Sequence, residues 1–213
     1  MYRFHPAWVT ALGLIADGVI GRVTDVSVWF AFRSTRPTDY RHAVDSGGGA
    51  LYDVGCYAVD VSRMLLGDNP EGTLGAARID PVYGVDLTFS GILDYGDSFA
   101  TFTCSMEQEP RHTVIIHGAN GWLSIADPFN CPADLPTSVS IGSGGNHHPH
   151  ASTTRTFTVP AADQYGLCVG VEIDLDEQLT GQQALQLQLG TNAGSHQVFD
   201  AVVIVHLWLA GPA

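Results

Sequence analysis

The sequence predicts an α+β fold, in which an open-faced, largely antiparallel sheet carries its helices on one face. Three observations predict it. Two helical patterns lie in the first third of the chain, six strand patterns follow between residues 85 and 159, and short glycine-containing turns link neighbouring strands. The other face of the sheet is left uncovered, so it must carry polar side chains or meet an apolar partner.

The first helix is predicted over residues 6–17, because proline suits its first turn and an apolar side chain recurs every three or four positions. Residues 22–33 are rich in Val, Trp and Phe and alternate in part, which favours a strand. The stretch up to Val44 contains Pro37 and Asp39 and is predicted to be a loop that overhangs a site.

A second helix follows the glycine run Gly47–Gly49, which is typical of a hinge or a tight entry. Asp53, Tyr57 and Asp60 stand at i, i+4 and i+7 on one face of this helix. A carboxylate and a phenol one turn apart can orient a substrate hydroxyl and exchange a proton with it. A solvated pair is the alternative. The neighbouring face is an apolar stripe of Leu51, Val54, Ala58, Val61 and Leu65.

The remaining strands are predicted from alternation and from the turns between them. Tyr95-Gly96-Asp97 and Gly118-Ala119-Asn120-Gly121 read as hairpin connections. The predicted strands are residues 85–95, 98–106, 113–117, 122–126, 137–141 and 155–159.

Composition limits the possible partners. The 213 residues are 45% hydrophobic and 15% charged, which fits one folded domain with a sizeable core. A net charge of −13 argues against binding to nucleic acid or to an anionic membrane. The four cysteines show no C-x-x-C spacing, which favours reduced thiols and a cytoplasmic location.

Two features lie towards the carboxyl end. His147, His148 and His150 are a possible metal site, but their Gly/Ser/Asn surroundings favour a surface loop. Residues 192–209 predict a terminal helix that is apolar nearly all round. Its apolar stretch is too short to span a membrane and contains His206.

Several segments together resemble the substrate-side domain of the Gfo/Idh/MocA family of oxidoreductases. They are MYRFHP at residues 1–6, IADGVIG at 15–21, the string that begins at Gly47, and VPAADQY at 159–165. The resemblance is strong over residues 1–165 and weaker over 166–213. In the family, the second domain's helix carries the pattern G-G-x-x-x-D-x-G-x-H-x-x-D.

This chain matches that pattern except at Tyr57, where most members have histidine. A tyrosine at this position resembles the branch that contains glucose–fructose oxidoreductase, xylose dehydrogenases and dihydrodiol dehydrogenases. The other matches are Gly48, Gly49, Asp53, Gly55 and Asp60. The resemblance implies that Tyr57 exchanges the proton and that Asp53 positions the substrate. We also predict substrate-binding roles for Arg3, Gly49 and Asp60, and for Arg41 in the loop that overhangs the site.

The resemblance implies NAD or NADP as the cofactor of the full-length protein, but the sequence offers no place to bind it. Gly13 to Gly18 lacks the middle glycine of G-x-G-x-x-G, and Gly142 to Gly145 leads into no helix. All nine basic residues are arginine, so the family's E-K-P lysine has no counterpart here. We therefore expect one domain over residues 1–213, without the N-terminal Rossmann domain, that binds no dinucleotide and is inactive alone.

Two functional hypotheses follow. In the first, the chain is the substrate domain of an NAD(P)-dependent oxidoreductase that acts on a sugar, polyol or diol, with a separate nucleotide-binding chain as a possible partner. In the second, it is a non-catalytic binding or oligomerisation module. Because the open sheet face forms the subunit interface in the family, both hypotheses predict a homo-oligomer.

Overall fold

The computed structural model describes residues 1–144 and 153–168, which form a mixed sheet with its helices on one face. The helices are α1 (Pro6–Ala16) and α2 (Cys56–Leu66), and a π-helical turn, Leu51–Gly55, leads into α2. The strands are β1 (Val23–Arg33), β2 (Gly72–Ile79), β3 (Asp86–Asp94), β4 (Phe99–Ser105), β5 (Glu107–Gly118), β6 (Gly121–Ala126), β7 (Thr137–Ser143) and β8 (Thr153–Val159).

The strands are ordered β2-β3-β4-β1-β5-β6-β7-β8 across the sheet. The pair β1 and β4 is parallel, and the other neighbouring pairs are antiparallel. The predicted α+β fold with a largely antiparallel sheet is therefore confirmed. The parallel pair arises because β1, which comes first in the chain, lies in the middle of the sheet.

The core lies between the sheet and the two helices. Helix α1 packs on β6 and β7, whereas α2 packs on β1 and β4, so both helices cover the same face as predicted. Every second residue of the central strands is buried there, and burial of each Val, Ile, Leu or Phe side chain stabilises the fold by about 1.5–3 kcal/mol. These residues are Val26, Val28, Phe30, Ala100, Phe102, Cys104, Val114, Ile116, Leu123, Ile125, Val139 and Ile141.

The opposite face of the sheet is open and concave. Hydroxyl groups pair across its strands, Ser27 with Thr101 at 3.1 Å and Ser90 with Thr103 at 2.8 Å. Trp29, Leu74 and Ile92 stand exposed among them and border a depression of about 810 Å³. This face therefore mixes hydroxyls with exposed apolar side chains.

Strand β2 was not predicted, and β5 begins at Glu107 rather than at Thr113. Edge strand β2 is exposed along nearly its whole length and contains glycine and alanine, so its sequence lacks the alternation of a half-buried strand. In β5, Pro110 lies at an irregularity where the register against β1 shifts. Proline is tolerated at such a bulge. Because proline otherwise argues against a strand, the sequence pattern did not predict the first residues of β5.

Some predictions lie outside the described residues, namely the histidine cluster, the terminal helix and everything beyond residue 168. None of the described helices combines the length and apolarity needed to cross a membrane. The four cysteines are buried and free of disulfide bonds.

Candidate functional site

The glycine run before the second helix is tightly packed, which favours the tight entry over the hinge among the two predicted interpretations. Gly48 and Gly49 donate backbone hydrogen bonds to the carbonyls of Ala43 and Arg41, both at 2.9 Å. A Cβ on Gly48 would lie 2.5 Å from the Arg41 carbonyl oxygen. Gly49 has φ +112°, which other residues rarely adopt. The run therefore serves the alternative that the sequence offered, a close approach of backbone segments.

Asp86, the first residue of β3, closes the start of the second helix. Its Oδ2 accepts a hydrogen bond from the backbone N–H of Leu51 at 2.7 Å, and its Oδ1 lies where a Cβ of Gly49 would stand. Ala50, at the N-cap, provides no side-chain cap. Burial raises the pKa of Asp86, and backbone N–H groups act in the opposite direction. Sequence reasoning missed this residue, because a carboxylate at a strand start does not indicate which helix it will meet.

Asp53 lies in the π-helical turn and is buried. Its Oδ2 accepts from Nε of Arg41 at 2.7 Å, and its Oδ1 accepts from the hydroxyl of Tyr40 at 3.0 Å. Asp39 binds the same guanidinium at 3.2 Å, and the ring of Tyr40 lies 4.6 Å from it. The loop predicted to overhang the site thus reaches it and binds one of its candidate catalytic groups.

The environment of Arg41 explains why this pair is stable. Burial of the guanidinium disfavours its charge, but the Asp53 and Asp39 carboxylates outweigh that effect and raise the pKa of Arg41. Its side chain is 27% exposed, and that of Asp53 is 5% exposed. The predicted substrate-binding arginine therefore contacts the predicted catalytic carboxylate.

Tyr57 lies in the first turn of α2, and its ring packs in an aromatic cluster that neighbours Asp53 along the helix. Ring centroids lie 5.3 Å away for both Phe30 and Phe129, and 5.8 Å away for Tyr2. These rings come from β1, from the segment after β6 and from the amino-terminal turn Tyr2–Phe4. Three separate parts of the chain therefore form the surroundings of this phenol.

His112, on β5, extends this cluster. Its ring centroid lies 4.1 Å from that of Phe30 and 6.4 Å from that of Phe129. Burial lowers the pKa of His112, although Asp127 acts in the opposite direction, so the imidazole is neutral near pH 7. Sequence reasoning missed both residues, since only the register of β5 against β1 brings His112 to Phe30, and only the folded chain brings Phe129, from the segment after β6, to Tyr57.

Asp60 and Arg3, both predicted to bind substrate, bind each other. Nε of Arg3 donates to Oδ2 of Asp60 at 2.8 Å, and Nη2 of Arg3 and the hydroxyl of Tyr2 also donate to this carboxylate. Burial and the Asp60 carboxylate raise the pKa of Tyr2 well above its usual value. The pair joins the amino-terminal turn to α2 beside Tyr57.

The start of the second helix does not fit the phosphates of a dinucleotide. Such phosphates bind the N–H groups at a helix start behind an open glycine loop. Here the Asp86 carboxylate already occupies the N–H of Leu51 and would repel an anion.

Comparison with known proteins assigns the chain to a family. Residues 8–124 match the model of the GFO/IDH/MocA C-terminal domain, and the chain belongs to this family. It is 33% identical over 203 residues to an uncharacterized oxidoreductase, ORF334, of Rhizobium meliloti, which covers 95% of this chain and 59% of that protein. The predicted family is therefore confirmed.

Two further relatives are named for their activities. One is D-xylose 1-dehydrogenase (NADP(+)) 2 of Haloferax volcanii, 41% identical over 148 residues, which are 68% of this chain and 45% of that protein. The other is human trans-1,2-dihydrobenzene-1,2-diol dehydrogenase, 30% identical over 136 residues, which are 62% of this chain and 40% of that protein. The chain thus spans between 40% and 59% of the length of these three relatives.

Solved structures share the fold. KijD10, a 3-ketoreductase of Actinomadura kijaniata solved with NADP and TDP-benzene, superposes with a TM-score of 0.72 at 24% identity. The match covers 82% of this chain and 52% of KijD10. The aldose-aldose oxidoreductase of Caulobacter crescentus, complexed with glycerol, gives a TM-score of 0.63 at 21% identity over 76% of this chain and 47% of that one.

Proposed function

We propose that this chain is the substrate-binding part of an NAD(P)-dependent oxidoreductase that acts on a CH–OH group of a sugar, polyol or diol. Its relatives include a D-xylose dehydrogenase and dihydrodiol dehydrogenases, whose substrates all carry such groups. In this proposal Tyr57 exchanges a proton with the reacting oxygen, and Asp53 positions the substrate.

One observation carries the proposal: Asp53 and Tyr57 start the same helix, and each is held by its own neighbours. Two donors from the loop hold the carboxylate, whereas three aromatic rings surround the phenol. An apolar wall with a few oriented polar groups is the usual composition of a small-molecule site. Such pre-orientation of a proton-exchanging group is what general acid–base catalysis requires.

The remaining predicted binding residues act through this pair. Arg41 holds Asp53, and Arg3 and Asp60 hold the turn that carries Tyr2 against Tyr57. Gly49 leaves the helix start without a side chain, so that Asp86 can approach it. In this proposal their effect on substrate comes from fixing the shape of the site.

In the same proposal, NAD or NADP is held outside the described residues, by a nucleotide-binding domain or by a separate chain. The occupied helix start at Leu51 supports this assignment. A phenol has an unperturbed pKa near about 10, so it needs a neighbouring positive charge to act as a base near neutrality. The chain contains no lysine, and the partner would supply that charge. The four free thiols support the predicted cytoplasmic location.

The test is an NMR titration of the ¹³C-tyrosine-labelled chain with D-xylose, run in parallel with a fluorescence titration with NADPH. We expect D-xylose to shift the Tyr57 resonance in a saturable manner, and we expect no NADPH binding. Tyr57→Phe should weaken the sugar's affinity, whereas Tyr165→Phe, a control at an exposed tyrosine, should not. An unmoved Tyr57 resonance would contradict the substrate site, and micromolar NADPH binding would contradict the assignment of the cofactor to another domain.

We also infer that the open sheet face pairs with a second copy of the chain. Trp29, Leu74 and Ile92 are 39%, 70% and 40% exposed on one concave surface, and such exposed apolar patches mark interfaces. Light scattering should give a dimer or larger assembly. Leu74→Glu should dissociate it, whereas Val82→Glu, at an 81% exposed residue in the turn after β2, should not. A monomeric wild-type chain would contradict the inference.

A further inference from the structure

The helix that carries Asp53 and Tyr57 begins in an unusual way. Its first turn, Leu51–Gly55, is π-helical, and Cys56–Leu66 is α-helical. Single π-turns are rare and recur at functional sites. The turn also begins without a side-chain cap from its own segment, since Ala50 stands at the N-cap. Something outside the helix must therefore satisfy its first N–H groups.

Asp86 does so from β3. Its carboxylate accepts from the N–H of Leu51 at 2.7 Å, and the N–H of Ala50 also acts on it, since both lower the carboxyl's pKa. Hydrogen bonds from N–H groups to a carboxylate are among the stronger ones in proteins. They offset the cost of holding a carboxylate in a half-buried position.

The fit of this carboxylate depends on Gly49. A Cβ at that position would clash with Oδ1 of Asp86, and the φ of +112° at Gly49 sets the direction in which the chain enters the helix. The same residue's carbonyl accepts from the N–H of Asp53 at 3.1 Å. The strand start, the glycine and the candidate catalytic carboxylate are thus joined by direct contacts.

We propose that Asp86 is a positioning residue for the site: by holding the N–H of Leu51 against β3, it sets the π-helical turn and with it the orientation of Asp53 and Tyr57. The inference rests on the proposed function only for its effect on substrate. Its structural part stands on the contacts between Asp86, Gly49 and Leu51.

Loss of the Asp86 contact should change the orientation of Asp53 relative to Tyr57, because different neighbours hold these two residues. Asp53 contacts Arg41 and Tyr40 on one side, whereas Tyr57 contacts Phe30 and Phe129 on the other. A turn that loses its anchor at Leu51 can relax towards regular α-helix, which rotates Asp53 relative to Tyr57. The two groups would then no longer face one substrate together.

The test compares Asp86→Ala and Asp86→Asn with two controls. Asp80→Ala removes a similar carboxylate cap in the same hairpin, where Asp80 accepts from the N–H groups of Val82 and Tyr83 at 2.7 and 2.9 Å. Leu93→Ala lowers stability through β3 at a position far from the helix start along the strand. Each variant is measured for hydrogen exchange of the Leu51 amide, the Tyr57 ring resonance and the affinity for D-xylose.

We expect Asp86→Ala to accelerate exchange of the Leu51 amide by about tenfold or more, the effect of losing a hydrogen bond to a charged group. The Tyr57 ring resonance should shift, and D-xylose should bind more weakly. Asp86→Asn retains one acceptor oxygen and should give intermediate values for all three readouts. Neither control should move the Tyr57 resonance or the Leu51 exchange beyond its effect on global stability.

Two outcomes would overturn the proposal. If Leu51 exchanges in Asp86→Ala as it does in Leu93→Ala, Asp86 does not hold the turn. If Leu51 loses protection but the Tyr57 resonance stays in place, Asp86 is a cap without a positioning role. Failure of the wild-type chain to bind D-xylose would contradict the proposed function instead, because the exchange and ring measurements need no ligand.

Discussion

Nε of Arg41 donates to Oδ2 of Asp53 across 2.7 Å, and the two residues belong to different elements that the glycine run connects. Arg41 is in a 3-10 turn, Tyr40–His42, and Asp53 is in the π-helical turn. The helix start therefore depends on the loop, since the Asp53 carboxylate loses both of its donors if the two elements separate, whereas Arg41 keeps Asp39.

Removal of Arg41 should destabilise the chain. Arg41→Ala leaves the Asp53 carboxylate buried, with the Tyr40 hydroxyl as its donor. Breaking a buried ion pair costs about 3–5 kcal/mol. Because Arg41 is partly exposed, we expect a smaller loss, about 2 kcal/mol, in the free energy of unfolding measured with urea. Asp53→Asn in the same background should recover part of this loss, because no charge remains to be desolvated.

An exposed pair is the matched control. Arg22 and Asp97 interact at 3.2 Å with side chains 60% and 77% exposed, and such pairs are worth about 0–1 kcal/mol. Arg22→Ala should therefore cost far less than Arg41→Ala. Equal losses for both variants would refute a special role for the Asp53 pair.

Gly49→Ala should be more harmful than Gly47→Ala, although both glycines have positive φ. Gly47, at +69°, has nothing within 4 Å of an added Cβ, so its substitution should cost about 1 kcal/mol of backbone strain. Gly49, at +112°, adds a clash with Asp86, and we expect about 2 kcal/mol or more. Chemical denaturation of both variants measures the difference in their free energies of unfolding. If Gly47→Ala costs as much as Gly49→Ala, the packing against Asp86 is not what constrains this segment.

The ring and the hydroxyl of Tyr57 should be separable. Tyr57→Phe keeps the ring contacts with Phe30, Phe129 and Tyr2 and removes only the hydroxyl, so the free energy of unfolding should fall by no more than about 1.5 kcal/mol, the contribution of a typical hydrogen bond. Tyr57→Ala removes those contacts and should cost about 3 kcal/mol. Thermal and urea unfolding of both variants check this. A large loss in Tyr57→Phe would mean that the hydroxyl serves the fold rather than a substrate.

The chain should lose stability as the solution is acidified through the histidine range. Burial lowers the pKa of His112 and of His5, so the unfolded chain, whose histidines titrate near about pH 6.5, binds protons before the folded chain does. Stability from these groups is therefore fully present above the unfolded pKa and is lost as the pH falls towards the folded value.

Urea unfolding between about pH 7.5 and pH 5.5 measures this effect. His112→Gln should flatten the dependence, and His117→Gln, at an exposed position of the same strand, should leave it unchanged. The raised pKa of Asp86 affects stability in the opposite direction, because the folded chain holds that proton more tightly than the unfolded chain does. This effect acts at more acidic pH. An unchanged slope in His112→Gln would show that this imidazole is not what titrates.

Periodicity predicted the elements whose burial alternates. The stripe Leu51 to Leu65 and the strands from Val85 onwards could be located because one face of each meets the core. Edge strand β2 has no buried face to mark it, and the first residues of β5 are hidden by Pro110. Both were therefore visible only once their neighbours were in place.

The sequence by itself determined the family, the largely antiparallel sheet and the placement of Asp53 and Tyr57 on one helix, since these depend on local spacing and on motifs of adjacent residues. The tertiary structure alone decided that Arg41 holds Asp53, that Phe129 packs against Tyr57 and His112 against Phe129, and that Asp86 anchors the helix start. Those contacts join segments up to tens of residues apart, and hydrogen bonds and ring packing form only when the sheet register brings their partners within a few ångströms.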